Sequence, residues 1–131
     1  MVFCETGQET ATTLIRAIHD IGTGNIFVNC DVANMILYGK GNPVDAVRQF
    51  GPLLKELHAK DGKYPTNPYY LGRETKIPEG DVNFPELVKA LKEIDFKGVI
   101  TIECELRGDN SAYVNDTKKY LEGLIEQNFG K

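Results

Sequence analysis

The chain has 131 residues, of which 15 are basic and 19 acidic, giving a formal net charge of −4. That length suits one domain with its own core, and 26% charged beside 41% hydrophobic residues describes a globular chain rather than a disordered one. The acidic balance argues against nucleic acid as partner, and no apolar run nears the roughly 18–20 residues of a membrane span. Nothing resembles a secretion signal, and three cysteines with no C-x-x-C pair argue against a disulfide scaffold or a structural zinc site. The class expected from this is a reduced, soluble, cytoplasmic domain.

Short β-rich runs alternate with helical stretches. Residues 2–5 read as a clipped strand, and a helix is expected over 8–21, with Leu14, Ile18 and Ile21 on one stripe and Gly22 and Gly24 ending it. A second strand covers 26–31. A polar, glycine-containing stretch over 38–42 leads to Pro43, a good first helical position for a helix over 43–50. Gly51-Pro52 breaks that helix, and 53–58 reads as a third strand. Residues 59–83, with Pro65, Pro68 and Pro78, form a long lid-like loop. A helix over 84–96, with Leu87, Val88, Leu91 and Ile94 on one face, precedes a fourth strand over 99–104. A last helix over 110–128 carries Tyr113, Tyr120, Leu121, Leu124 and Ile125. The order βαβαβαβα implies parallel strands and an α/β architecture, closed either as an open doubly wound sheet or as part of a (β/α)8 barrel. The first βα turn lacks G-x-G-x-x-G and no P-loop is present, so a nucleotide-binding sheet is poorly supported.

Each strand ends in a potential metal ligand: Glu5, Asp31, His58 and Glu103. The C-terminal ends of parallel strands lie on one face, so the four can converge. Alternation then places Phe3, Asn29, Glu56 and Thr101 on the same inner face, and Cys4, Val28, Cys30, Leu57, Ile100, Ile102 and Cys104 beneath the helices. The cysteines read as small buried hydrophobes. Three carboxylates and one imidazole make a mostly hard oxygen set suited to one divalent cation: Mn²⁺, Mg²⁺ or Co²⁺, with Zn²⁺ possible.

The strings ETGQET at 5–10, DVANMILYG at 31–39, HAKD at 58–61, EGDVNF at 79–84 and TIE at 101–103 occur in that order. Together they resemble the sugar phosphate isomerase/epimerase family with a xylose-isomerase-like TIM barrel. The resemblance covers essentially the whole chain but only the C-terminal half of the family's barrel. It implies one half-barrel domain over 1–131, four βα units corresponding to strands five to eight of a (β/α)8 barrel. It further implies that Glu5, Asp31, His58 and Glu103 bind one divalent cation, with Glu5 and Glu103 also as the catalytic proton-transfer pair. The implied reaction is isomerisation or epimerisation of a sugar or sugar phosphate, by proton transfer α to a carbonyl through an enediolate-like state. Gln8, Glu9, Asn34, Lys60 and Asp61 are candidates for substrate binding on the rim, while Arg73, Lys76 and Arg107 are candidates only by charge and loop position.

Two departures from the family pattern stand out. Asn34 occupies the place of a substrate-binding His found in many ketose 3-epimerases, and nothing corresponding to strands one to four precedes Met1. Four βα units cannot close a barrel, so two strand edges are expected to seek a partner, either a second copy in a homodimer or a complementary N-terminal half barrel. Two further readings stand beside the enzyme. One is a catalytically silent truncated barrel acting as an assembly or binding module, and the other a related dehydratase of a cyclic polyol. An endonuclease of abasic DNA fits poorly, because only His19 and His58 are present and the net charge is negative.

Overall fold

A computed structural model describes residues 1–130. Strand β1 (Val2–Glu5) leads to helix α1 (Ala11–Ile21). Thr10 caps α1 by accepting the Thr13 N–H at 3.2 Å, and Ala11, Leu14 and Ile18 form its buried stripe. At the other end Gly22 adopts φ 67°, a left-handed cap that glycine takes at no steric cost. Helix α1 therefore starts three residues later than the apolar spacing suggested, because Thr10 takes the cap. Strand β2 (Ile26–Asp31) passes without a loop into helix α2 (Val32–Leu37), an element the apolar periodicity missed. Val32, Ala33, Met35 and Ile36 are all buried, so α2 has no polar face to give it a period. Asn42 caps helix α3 (Pro43–Phe50), and Gly51–Leu53 make a single 3-10 turn before strand β3 (Leu54–Ala59).

The 59–83 segment is not structureless. It carries an antiparallel hairpin of β4 (Asp61–Lys63) and β5 (Arg73–Thr75). Helix α4 (Phe84–Glu93), capped by Asn83, ends earlier than position 96. Strand β6 (Val99–Ile102) stops short of Glu103, although the Glu103 N–H still bonds Ala59 O at 3.0 Å. Helix α5 (Ser111–Phe129) closes the described chain.

The main sheet is parallel throughout, in the order β1-β2-β3-β6. Helices cover one face, and the core lies between them: Val28, Cys30 and Leu57 from the sheet meet Ile36, Val47, Phe50, Phe84, Leu87 and Leu91. Among the described residues β1 and β6 pair on one side only, leaving two open edges with Val2, Phe3 and Val99 exposed.

Register decides which side chains reach the other face. Val28 pairs with Leu54, but the next pair is Asn29 with Glu56, a slip of one residue between β2 and β3. The slip lets Leu54 and Leu57 both point into the core despite their odd spacing, and it turns His58 to the side opposite the helices. Asp31 then pairs with His58, His58 with Thr101, and Glu5 with Asn29. Glu5, Asn29, Asp31, Glu56, His58 and Thr101 consequently share one face, as strand alternation predicted.

Candidate metal centre

At the C-terminal end of the sheet Glu5, Asp31, His58 and Glu103 each offer a ligand atom, and these four atoms all lie within 4.8 Å of one another. His58 Nδ1 is the hub. It stands 2.8 Å from Glu5 Oε1, 3.0 Å from Glu103 Oε2 and 3.9 Å from Asp31 Oδ2. The two acids from the sheet edges are the more open, with side chains 48% (Glu5) and 32% (Glu103) accessible, whereas Asp31 is fully buried.

Asp31 does two jobs. Its Oδ1 accepts the Asn34 N–H at 2.9 Å and so caps α2, while Oδ2 is buried with no hydrogen-bond partner among the described residues. Burial first, and the adjoining Glu103 carboxylate second, push the Asp31 carboxyl up to about 8. Glu103 is held below the usual carboxylate range by the Asp31 carboxyl beside it and then by Lys60 and His58. A desolvated carboxyl with one unpartnered oxygen, ringed by two more acids and an imidazole nitrogen, fits a divalent cation by both charge and donor type. The residues present therefore suit the group expected from the sequence.

Of the five residues expected to bind substrate, the structure leaves two on the surface: Gln8 and Glu9 stand exposed on the β1–α1 loop. Asn34 is half-buried, and its Nδ2 donates to Thr6 O at 3.0 Å, tying α2 to that loop. Lys60 is not a rim residue. Its side chain is 3% accessible, and Nζ lies 3.9 Å from Asp31 Oδ2, 4.0 Å from Glu103 Oε2 and 3.4 Å from Glu105 Oε1. Burial alone would lower the Lys60 ammonium, but the Asp31, Glu103, Glu105 and Glu74 charges overcome it and hold it above its ordinary value. With Lys60 charged, three carboxylates and one divalent cation sum to neutrality.

Asp61 is also absent from the rim. It is fully buried, accepting the N–H groups of Gly62 (2.8 Å), Gly80 (2.9 Å) and Val82 (3.1 Å), so it fastens the 59–83 segment to itself. A Cβ on Gly80 would run into that carboxylate, which is why the close approach requires glycine. Burial raises the Asp61 carboxyl above its ordinary value, against the opposing pull of those three backbone donors. Arg73, Lys76 and Arg107 are exposed, and Lys76 lies over the Tyr113 ring.

Three residues that sequence reasoning gave no site role join the cluster. Asn29 Nδ2 meets His58 Nε2 at 3.0 Å, Thr6 Oγ1 donates to Asp31 O at 2.8 Å, and Glu105 faces Lys60. Only Asn29 left a trace in the pattern, through its parity with Asp31. Cys30, fully buried, has its thiol pushed up to about 12 chiefly by burial, in keeping with an inert packing residue.

A parallel sheet with helices on one face and a cluster of acids and imidazole at its strand ends defines a segment of a (β/α) barrel with the donor set of a candidate cation site. The family model for xylose isomerase-like TIM barrels matches residues 2–124, and the chain belongs to that family. An uncharacterised protein of Methanocaldococcus jannaschii is 32% identical over 121 residues, covering 90% of this chain and 39% of that protein. A xylose isomerase domain protein from Planctomyces limnophilus superposes with a TM-score of 0.87 at 32% identity, over 97% of this chain and 45% of that one. A D-tagatose 3-epimerase-like protein gives 0.66 at 30% identity, over 90% and 43%. The chain thus spans less than half the length of these relatives. No helix among the described residues is long and apolar enough to cross a membrane.

Proposed function

We propose that this chain carries the cation-binding half of a divalent-metal-dependent isomerase or epimerase acting on an open-chain sugar or sugar phosphate, its four βα units standing as strands five to eight of the barrel. The observation that carries this reading is the convergence of Glu5, Asp31, His58 and Glu103 within 4.8 Å at the strand ends. Asp31 and His58, on the central strands, hold the ion, and Glu5 and Glu103 complete the set. When bound, the cation would hold adjacent carbonyl and hydroxyl oxygens and stabilise the negative charge of an enediolate-like state. Glu5 and Glu103, the two more accessible acids, are the residues that remove the proton α to the carbonyl and return it. Lys60, held charged beneath them, offsets the excess of carboxylates. Gln8 and Glu9 stand where they can meet sugar hydroxyls, and the segment over 59–83 serves as a lid.

Calorimetric titration of the full chain with Mn²⁺, beside Glu103→Gln, tests this reading. Binding by the wild type that weakens in the variant supports it. No binding, or binding indifferent to the substitution, favours the alternative of a catalytically silent module. That alternative draws on the chain's span of less than half its relatives and on its two open sheet edges. Either way the exposed Val2, Phe3 and Val99 at those edges support a partner that extends the sheet, a second copy or a complementary half barrel. Light scattering behind a sizing column is expected to show a dimer or larger species of the isolated chain. A well-folded monomer at micromolar concentration would exclude self-pairing.

A further inference from the structure

His58 touches its surroundings through both ring nitrogens, and the two contacts differ in kind. Nδ1 faces Glu5 Oε1 at 2.8 Å and Glu103 Oε2 at 3.0 Å, while Nε2 meets only the side-chain amide of Asn29, at 3.0 Å. Carboxylates only accept hydrogen bonds, so a ring nitrogen that bonds them carries the proton. A ring nitrogen that ligates a cation cannot. For the neutral ring, Nε2 in the first state is bare and needs a donor; in the second Nε2 carries the proton and needs an acceptor.

Asn29, the side chain that stands against Nε2, can be both. Its Nδ2 end now stands against Nε2, matching the first state. Its Oδ1 end is buried with no partner among the described residues, so a half turn of the amide breaks no other hydrogen bond and presents an acceptor to Nε2. The backbone fixes the amide in place. Asn29 sits on a central strand, 8% exposed, between its β1 partner Glu5 and its β3 partner Glu56.

We infer that Asn29 is a two-way positioning residue for His58: its amide donates to Nε2 when Nδ1 holds the proton, and turns over to accept from Nε2–H when Nδ1 ligates a cation. The inference rests on the cation reading given above. It assigns Asn29 no contact with substrate. It makes the ring's orientation the same in both states, so that loading with metal costs a proton relocation and an amide turn rather than a side-chain movement.

Nitrogen-15 spectra of His58 in the full chain, recorded at mildly alkaline pH while diamagnetic Mg²⁺ is added, read the two states directly. The expected result is an Nδ1–H ring that converts to Nε2–H as Mg²⁺ binds. Asn29→Leu, which keeps the volume and removes both functions, is expected to weaken Mg²⁺ binding about 10- to 100-fold and to leave the tautomers mixed. Asn29→Asp, an acceptor only, is expected to hold Nε2–H with or without Mg²⁺, and it carries the test by itself should the leucine variant fail to fold. A wild type that binds no Mg²⁺ overturns the cation reading, and this inference with it. Mg²⁺ binding with an unchanged tautomer, or with Asn29→Leu binding as tightly as the wild type, overturns the role of Asn29 alone and leaves the metal site standing.

Discussion

The two central strands and the two edge strands of the sheet make different contributions to the same cluster. In β2 and β3 the residues facing the helices, Val28, Cys30 and Leu57, are completely or almost completely buried, and the side chains these strands send toward the cluster are the sheltered Asp31 and His58. In β1 and β6 apolar residues such as Phe3 and Val99 are exposed, and the acids beyond them, Glu5 and Glu103, are the accessible ones. Rigidity and burial go with holding an ion, openness with reaching a substrate. Under the proposed function, a sheet that holds the ion at its middle and reacts at its margins would separate two demands that compete when one residue must meet both.

Substitutions that take one residue from each region break this comparison most sharply in stability. Leu57→Ala, in the packed centre, is expected to cost about 2–5 kcal/mol, and Val99→Ala, at an edge where the side chain is 62% exposed, less than ~0.5 kcal/mol, both read by urea unfolding. Equal costs would mean that the edge is covered in solution. The same contrast is expected in cation binding. Asp31→Asn should lower Mn²⁺ affinity roughly 100-fold while keeping the cap on α2, since asparagine caps as well as aspartate. Glu103→Gln should lower it only about tenfold, its larger effect falling on turnover, with calorimetry and ketose interconversion as the paired measurements. The smallest effect concerns the hairpin, outside both regions. Asp81 is held below the usual carboxylate range first by the Tyr64 N–H and then by Lys63. A lowered folded-state value gives stabilisation that is present above the ordinary value of about 3.9 and is lost as pH falls through the lower one. The protection factor of the Tyr64 amide, with the intrinsic pH dependence of exchange divided out, should therefore hold level above about pH 4 and fall only below it.

How much of this was legible in the sequence follows the same division. The amphipathic helices were visible because each has one wet face and one dry one, as in α1 with Leu14 and Ile18, and the four strands of the main sheet showed as short β-rich runs between them. Helix α2 was invisible because it is dry all round. The hairpin was hidden in a segment rich in proline and glycine, because its order comes from the buried Asp61 carboxylate rather than from alternation. The four cluster residues could be named from their places at strand ends. Yet His58 faces the cluster only because the register slips beside Leu54, a feature whose one sequence trace is the spacing of three between Leu54 and Leu57. Lys60 and Asp61, expected at the rim, are more enclosed than the sequence suggested, for a related reason. Charged residues after a strand usually meet water, and here both are enclosed by partners from distant parts of the chain.

Asp31 ties the start of a helix to the cluster of acids and imidazole. One carboxylate oxygen starts α2 and the other looks into the cluster, so the carboxylate's aim is inherited from the helix axis rather than from a flexible side chain. Lengthening the residue by one methylene to glutamate would upset both ends together. Any substitution meant to alter the cluster without disturbing the scaffold must fall on Glu5, His58 or Glu103, because the remaining acid also starts α2.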